Sequence, residues 1–350
     1  MTRKLIGMAL VVVLSSLCAV AQATVPAING VVYADANSDS LLNPGEELSG
    51  IDIKLFVDDG DGIFNASDAL VTSMLTDASG VYSFDGLTFG QQYFVERSPF
   101  TLGANSFAAE VSGVIATANP NLIIDTFRNS QSSKASPSIP VATSSLNAPS
   151  SDVLGVERDL YVKPMDGLGE IELRVNAFGK EVLQYDTTSG VMGTGIITWD
   201  GIDGTADPTP SMGLGGVDLT MGGTNSAFLM MLGIDATGAG EVVKVRLFKD
   251  GIAGYSEGAI PFPITDGTAT VYGSLDFSSL SGPVSPADVD AIQMILGENK
   301  KSIDAQVDFF AVTGPSRQNF FVTVVPEPTG GLLGLMGLIG CGSLVRRKRR

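Results

Sequence analysis

The sequence predicts an all-β protein built as two successive β-sandwiches. Three observations predict it. Short apolar runs alternate with polar residues at a period of two, as half-buried strands require. Gly, Ser, Thr, Asp and Asn recur between the runs, and glycine alone takes 42 of the 350 positions; these residues supply the φ angles and local hydrogen bonds of tight turns. Helical periodicity is scarce between the two ends. With the ends removed, about 300 residues suggest two domains.

The N-terminus reads as a signal peptide over residues 1–23. Arg3 and Lys4 form a basic start, residues 5–20 are apolar, and Ala21-Gln22-Ala23 is an A-x-A cleavage site. Cys18 follows Leu17, whereas lipoprotein processing takes a small residue there. At the C-terminus, Val325-Pro326-Glu327-Pro328 precedes an apolar stretch over residues 330–345 and the basic run Arg346, Arg347, Lys348, Arg349, Arg350. As a helix that stretch measures about 24 Å, short against a bilayer core of about 30 Å but sufficient with snorkelling flanks. The positive-inside bias holds the basic run in the cytoplasm and everything before Pro326 outside.

Those last residues resemble the PEP-CTERM sorting signal of exported bacterial proteins. The Pro326-Glu327-Pro328 motif, the apolar span and the basic cluster stand in order over residues 325–350. The resemblance implies an exosortase-type sorting enzyme as partner, a host that makes exopolysaccharide, and a C-terminal transmembrane helix that anchors the chain only until processing. The expected location is the cell surface or extracellular matrix.

Composition excludes much chemistry. There is no histidine, and both cysteines, Cys18 and Cys341, lie in the removable ends. Ser-His-Asp and Cys-His catalysis, thiolate sites and histidine-ligated metals are therefore absent. Between the ends 14 basic residues face 37 acidic ones, a net charge of −23. Such a surface repels nucleic acid and anionic membrane and suits Ca2+, which takes carboxylate and carbonyl oxygens. Paired carboxylates for a glycosidase are cheap to find among 38 acidic residues, and none stands out; the expectation is no enzyme.

Residues 26–115 read as the smaller sandwich. "INGVVYAD", "GIDIKLFVDD", "ALVTSMLTD", "GVYSFDGL" and "QQYFVERS" are its strands, with Ile51, Ile53 and Leu55 sharing one face of the second. Between them lie two acidic loops. In "DANSDSLLNPGE", Asp35, Asn37 and Asp39 take positions 1, 3 and 5 of a twelve-residue calcium loop, the Leu41 carbonyl position 7 and Glu46 position 12. Position 6 is Ser40, where a sharp turn favours glycine. In "VDDGDGIFNASD", Gly62 at position 6 places Asp59 at 3, Asp61 at 5, the Ile63 carbonyl at 7 and Asp68 at 12. Val57 then falls at position 1, with Asp58 as substitute. Asp77 either completes a site or begins a turn. Solvated Asp/Asn/Gly turns are the plainer alternative for both loops.

This block resembles the SD-repeat B-type domain of bacterial surface adhesins, close to the collagen-adhesin B-type fold. The residues are "GVVYADANSDSLLNPGEELSGIDIKLFVDDGDGIFNASD" and "TDASGVYSFDGLTFGQQYFV". The resemblance implies a prealbumin-like β-sandwich, stiffened by calcium and used as a spacer or adhesive stalk. Some relatives carry a Lys–Asn isopeptide bond; Lys54 has no evident asparagine partner.

Residues 118–322 read as the larger sandwich. Its Ser/Pro-rich opening, residues 130–151, reads as a long loop or as a first edge. Nine or ten strands follow, from "ERDLYVKP" to "SIDAQVDFFAV", and predict a jelly roll. "SPADVDAIQMI" reads either as a short helix capped by Ser285 or as a strand. The run "ERDL…ITWDG…GLGGVDLT…LDFSSL…VDAIQMIL…IDAQVDFFAV" is similar to galactose-binding-like jelly rolls, which implies a carbohydrate-binding ancestry. Trp199 shares a face with Ile197 and reads as core, while Tyr185, Tyr255 and Tyr272 are aromatic candidates without a pattern.

Two functions follow. The first is a structural or adhesive matrix protein with a calcium-stiffened stalk. The alternative is recognition of exopolysaccharide by the second domain, which requires aromatic rings aligned beside polar groups.

Overall fold

The computed structural model describes residues 26–117 and 119–324. The signal peptide, the sorting motif Pro326, Glu327, Pro328 and the C-terminal apolar span lie outside them. Among the described residues no helix is long and apolar enough to cross a membrane.

In chain order the strands are β1 (Ile28–Asp35), β2 (Asp52–Val57), β3 (Ala69–Leu75), β4 (Val81–Phe84), β5 (Gln92–Arg97), β6 (Phe100–Leu102), β7 (Asn105–Phe107), β8 (Glu110–Val111) and β9 (Ile115–Ala116). There follow β10 (Leu122–Asp125), β11 (Gln131–Ala135), β12 (Ala142–Asn147), β13 (Glu157–Asp166), β14 (Ile171–Val175), β15 (Val182–Thr187), β16 (Met192–Trp199) and β17 (Ala227–Ile234). The last are β18 (Val242–Phe248), β19 (Ser256–Pro261), β20 (Val271–Asp276), β21 (Ala291–Leu296), β22 (Asp304–Thr313), β23 (Ser316–Arg317) and β24 (Phe320–Thr323). The only helical segments among the described residues are three 3-10 turns. The fold is all-β, in two sandwiches.

The smaller sandwich packs a sheet built on β1 and β4 against a sheet of β3, β2 and β5 with β8 and β9. Ile53 and Leu55 of β2 meet Ile28, Val32, Tyr82, Phe84 and Val95 in its core. The larger sandwich places β11-β14-β15-β22-β17-β20, with β10 beside β22, over β12-β13-β16-β21-β18-β19. The chain passes repeatedly between these antiparallel sheets, as in a jelly roll.

The sequence boundary at residue 322 needs correction. β23 and β24 pair parallel to β1 rather than joining the larger sandwich, with Val32 opposite Phe320 and Ala34 opposite Val322. Phe320 completes the smaller core, and the Tyr82 hydroxyl donates to the Gln318 carbonyl. Gly30 permits this return, because a Cβ there would overlap the Gln318 carbonyl. The larger sandwich is thus inserted into the smaller one. Phe89 also stacks on Tyr272 across the two units, with centroids 5.6 Å apart.

Of the two readings of residues 130–151, the structure takes the first edge and not the long loop. These residues hold β11 and β12, the first edges of the two sheets, paired with β14 and β13. The small inward side chains of Ser133 and Ala135 let such a polar run lie on the core. No helix forms after Ser285; Ser285 Oγ accepts from Ala287 N in a turn, and the fully buried run Ala291–Leu296 is a central strand. Lys54 forms an ion pair with Glu96 at 2.9 Å.

Trp199 is wholly buried, as its alternation with Ile197 predicts. Its indole donates to Asp125 Oδ2 at 2.9 Å. The same carboxylate accepts two bonds from Arg158, at 3.0 and 3.1 Å, and one from Phe127 N at 2.7 Å. Arg158 lies on the inward face of β13 with Leu160 and Val162 and reaches across the core to β10. A buried pair broken on one side leaves an uncompensated charge and costs about 3–5 kcal/mol, whereas an apolar replacement of both partners is often neutral. Arg158→Met should therefore lower the unfolding free energy of the larger sandwich by about that amount, measured by denaturant titration of the fluorescence of Trp199, the single tryptophan. Arg158→Met with Asp125→Leu should recover part of the loss.

Candidate functional site

Two regions gather exposed polar groups. The first is the outer face of the seven-stranded sheet. In β14, Ile171, Leu173 and Val175 point into the core, so Glu172 and Arg174 point out. In β15, Leu183 and Tyr185 are buried while Gln184 and Asp186 face outward. Strand pairing turns this alternation into two rows. Ser132, Arg174, Gln184 and Gln306 lie side by side across four strands. Lys134, Glu172, Asp186 and Asp304 form the neighbouring row.

Arg174 joins the rows. Its guanidinium binds Asp186 and lies 3.9 Å from Glu172, while its Nε has no hydrogen-bond partner. Gln184 Oε1 is likewise buried without one. Burial foremost, and then Asp186, push the Asp304 carboxyl up to about 6 against the opposing charge of Arg174.

Beside the rows lies a cleft of about 550 Å3, walled by Gln131, Glu172, Arg174 and Asn176 and rimmed by Phe178. A smaller hollow of about 160 Å3 continues past Glu172 and Arg174 to Asp186 and Thr188. Phe178 is 91 % exposed and sits at φ 60 in the turn after β14. That left-handed conformation is unfavourable for a bulky side chain. It is held by Asn176, also left-handed, whose side chain donates to the Arg128 carbonyl and accepts from Glu181 N at 3.0 Å. Phe127, Val156 and Phe309 are other bulky residues with positive φ, and of these four Phe178 is the one almost fully exposed.

The aromatic candidates named from sequence do not line this cleft. Tyr185 is buried and donates to the Gly193 carbonyl at 2.9 Å. Tyr272 packs between Phe89 and Phe309, and Tyr255 lies under the Arg246 guanidinium at 4.3 Å.

The second region is the pair of acidic loops. Asp35 is buried and accepts from the amides of Asp39 and Ser40, at 3.1 and 3.0 Å. Glu46 clamps the amides of Ala36 and Asn43, at 3.0 and 2.9 Å. Asp39 accepts from Leu41 N at 2.8 Å and from the side chains of Asn37 and Asn43, and the Leu41 amide foremost holds its carboxyl below the usual range. Ser40 adopts φ 61, the conformation for which glycine is favoured.

The second loop repeats this scaffold. Asp68 clamps Asp59 N and Asn65 N, at 3.1 and 2.6 Å, as Glu46 does. Asp61 accepts from Ile63 N at 2.8 Å, as Asp39 does from Leu41. Asp58 accepts from Gly62 N at 3.1 Å, the part Asp35 plays. Position 1 therefore falls on Asp58 and not on Val57, because this loop is one residue shorter. Leu41 and Ile63 turn their side chains outward, and their carbonyls accept from Asn43 and Asn65 at 3.3 and 2.9 Å. Oxygens of Asp58, Asp59 and Asp61 approach within 4.8 Å of one another, and Asp58 Oδ2 is buried without a partner. Such all-oxygen donors suit Ca2+. Asp77 accepts from Ser79 N and Val81 N and begins a turn.

No family model matches the chain, and none of the curated proteins matches it. Among solved structures it is similar to the family 11 carbohydrate-binding module of the cellulosomal cellulase Lic26A-Cel5E of Clostridium thermocellum, at 14% identity and a TM-score of 0.27 over 56% of this chain and 95% of that one. It is also similar to a family 29 carbohydrate-binding module, at 9% identity and a TM-score of 0.25 over 53% and 91%. A tailspike protein of bacteriophage CBA120 matches at 11% identity and a TM-score of 0.24, over 56% of this chain and 22% of that one. With TM-scores this low, fold and sites rest on the chain's own geometry.

The polar rows carry a pH signature. Carboxyl-detected NMR should show Asp304 titrating near pH 6, and Asp186→Asn should bring it down towards the ordinary carboxylate range.

Proposed function

We propose that this chain is a non-catalytic, exported carbohydrate-binding protein that holds a neutral polysaccharide on the outer face of its seven-stranded sheet. The observation that supports this best is Phe178, exposed in a left-handed turn at the rim of a cleft walled by Glu172 and Arg174. Sugar rings offer apolar faces that stack on an aromatic ring and hydroxyls that pair with carboxylates, amides and guanidinium groups. Neighbouring strands stand about 4.8 Å apart, so the two rows present such groups at regular intervals. Asp186, Asp304 and Asp308 face the same side, and with the net charge of the body they disfavour an anionic polymer.

The smaller sandwich is then the mount. Its repeated acidic loops support Ca2+ binding by Asp35, Asn37, Asp39, the Leu41 carbonyl and Glu46, and by Asp58, Asp59, Asp61, the Ile63 carbonyl and Asp68. A structural or adhesive role in an extracellular matrix is the second reading. It is favoured by the insertion of one sandwich into the other, since two chain crossings restrain the binding face more than one linker does. The exosortase partner and cell-surface location rest on the pattern of residues 325–350.

Affinity electrophoresis in gels containing soluble neutral polysaccharides tests the binding reading. At least one polymer should retard the protein, and Phe178→Ala or Arg174→Ala should weaken binding about tenfold, or ~1.4 kcal/mol. Unchanged mobility with every polymer, or equal retardation of both variants, contradicts it. For the mount, chelation should raise hydrogen exchange in β1, β2 and β5 and leave β13, β16 and β21 protected. Equal change in both units contradicts a calcium role confined to the loops.

A further inference from the structure

We propose that the larger sandwich has its own divalent-cation site of the calcium class, formed by Glu157, Asp159 and Asp203 between β13 and the loop that follows β16. The site is separate from the acidic loops of the smaller sandwich and from the cleft at Phe178.

Alternation along β13 creates it. Arg158, Leu160 and Val162 point into the core, so Glu157 and Asp159 point to the outer face of the six-stranded sheet. Residues 200–213 fold back over that face. Gly213 N donates to the Asp200 carbonyl at 2.6 Å, and Gln293 on β21 holds the Pro208 carbonyl at 3.0 Å. Acidic side chains that would otherwise face water are covered as a result. Glu157, Asp159 and Asp200 are 1 %, 2 % and 3 % exposed.

The oxygen accounting is uneven in a consistent way. Glu157 Oε1 accepts from Gly204 N at 2.9 Å, while Oε2 is buried and unpartnered. Asp200 Oδ2 accepts from Ser211 N at 2.6 Å, while Oδ1 is buried and unpartnered. Both oxygens of Asp159 are buried without a hydrogen-bond partner. Asp203 is exposed and fixed by the amide and hydroxyl of Thr205, at 2.7 and 3.0 Å. Oxygens of Glu157, Asp159 and Asp203 lie within 4.8 Å of one another.

Among the described residues no lysine or arginine forms an ion pair with Glu157, Asp159, Asp200 or Asp203. Burying carboxylates without compensation is strongly unfavourable. A proton on Asp159 neutralises one charge. A divalent cation neutralises two, gives the unpartnered oxygens of Glu157 and Asp159 a common partner and clips the loop to the strand. Hard oxygen donors select Ca2+ over softer metals.

Trp199 makes the site addressable. It is the single tryptophan and directly precedes Asp200. Terbium should be added to the full-length chain and excited through tryptophan alone, at the red edge of its absorption. The expected result is saturable sensitised emission that Ca2+ displaces, that Asp159→Asn and Asp203→Asn each abolish, and that Asp58→Asn in the smaller sandwich leaves intact. Asp203 is exposed, so Asp203→Asn reports on the site even where Asp159→Asn fails to fold. Absence of sensitised emission overturns the proposal in favour of protonated carboxyls. Emission that survives Asp203→Asn, or is lost in Asp58→Asn, overturns it as well.

Discussion

The carboxylate of Asp125 is the point on which the larger sandwich turns. It stands between two sheets and is bonded from the opposite one by Arg158 and Trp199. A lone buried carboxylate would drive the sheets apart. Here it binds a guanidinium, an indole and an amide, and so joins β10 to β13 and β16. Arg158 extends the network, because its Nε donates to Gln131 on β11 at 2.8 Å and its terminal nitrogen to the Asn129 carbonyl. The edge strand that borders the Phe178 cleft is thereby tied to the core.

The outer faces follow from this inner one. Once Arg158 points inward, strand alternation sends Glu157 and Asp159 outward, where residues 200–213 cover them. Once Gln131 points inward, Ser132 faces outward beside Arg174 and extends the polar row. One inward ion pair therefore helps to align both the polar surface of one sheet and the carboxylate cluster on the other. The smaller sandwich depends on a different long-range contact, the return of Phe320 beside Val32. That return makes the two units share one chain path rather than follow each other like beads.

Local pattern was legible in the sequence, and long-range pairing was not. Ile51, Ile53 and Leu55 declared their face by a period of two, and Trp199 declared its burial by sharing a face with Ile197. The acidic loops were legible as short spacings, save that Asp58 rather than Val57 takes the first place. Residues 130–151 stayed open between a loop and a first edge because serine and proline dominate their composition, yet edge strands tolerate small inward residues. The strand at Phe320–Thr323 was invisible because its partner lies near the other end of the chain. Arg174, Gln184 and Asp186 were each readable as outward residues, but only pairing makes rows of them. Phe178 carried no signal beyond an aromatic between Ala177 and Gly179.

The most direct test of carbohydrate recognition is an amide chemical-shift map of the labelled protein, recorded during titration with a soluble neutral oligosaccharide. Binding on the outer sheet face predicts saturable shifts concentrated at Asn176 to Gly179 and along β14 and β15, with the acidic loops of the smaller sandwich unmoved. Shifts confined to those loops, or spread without saturation over the surface, would contradict it.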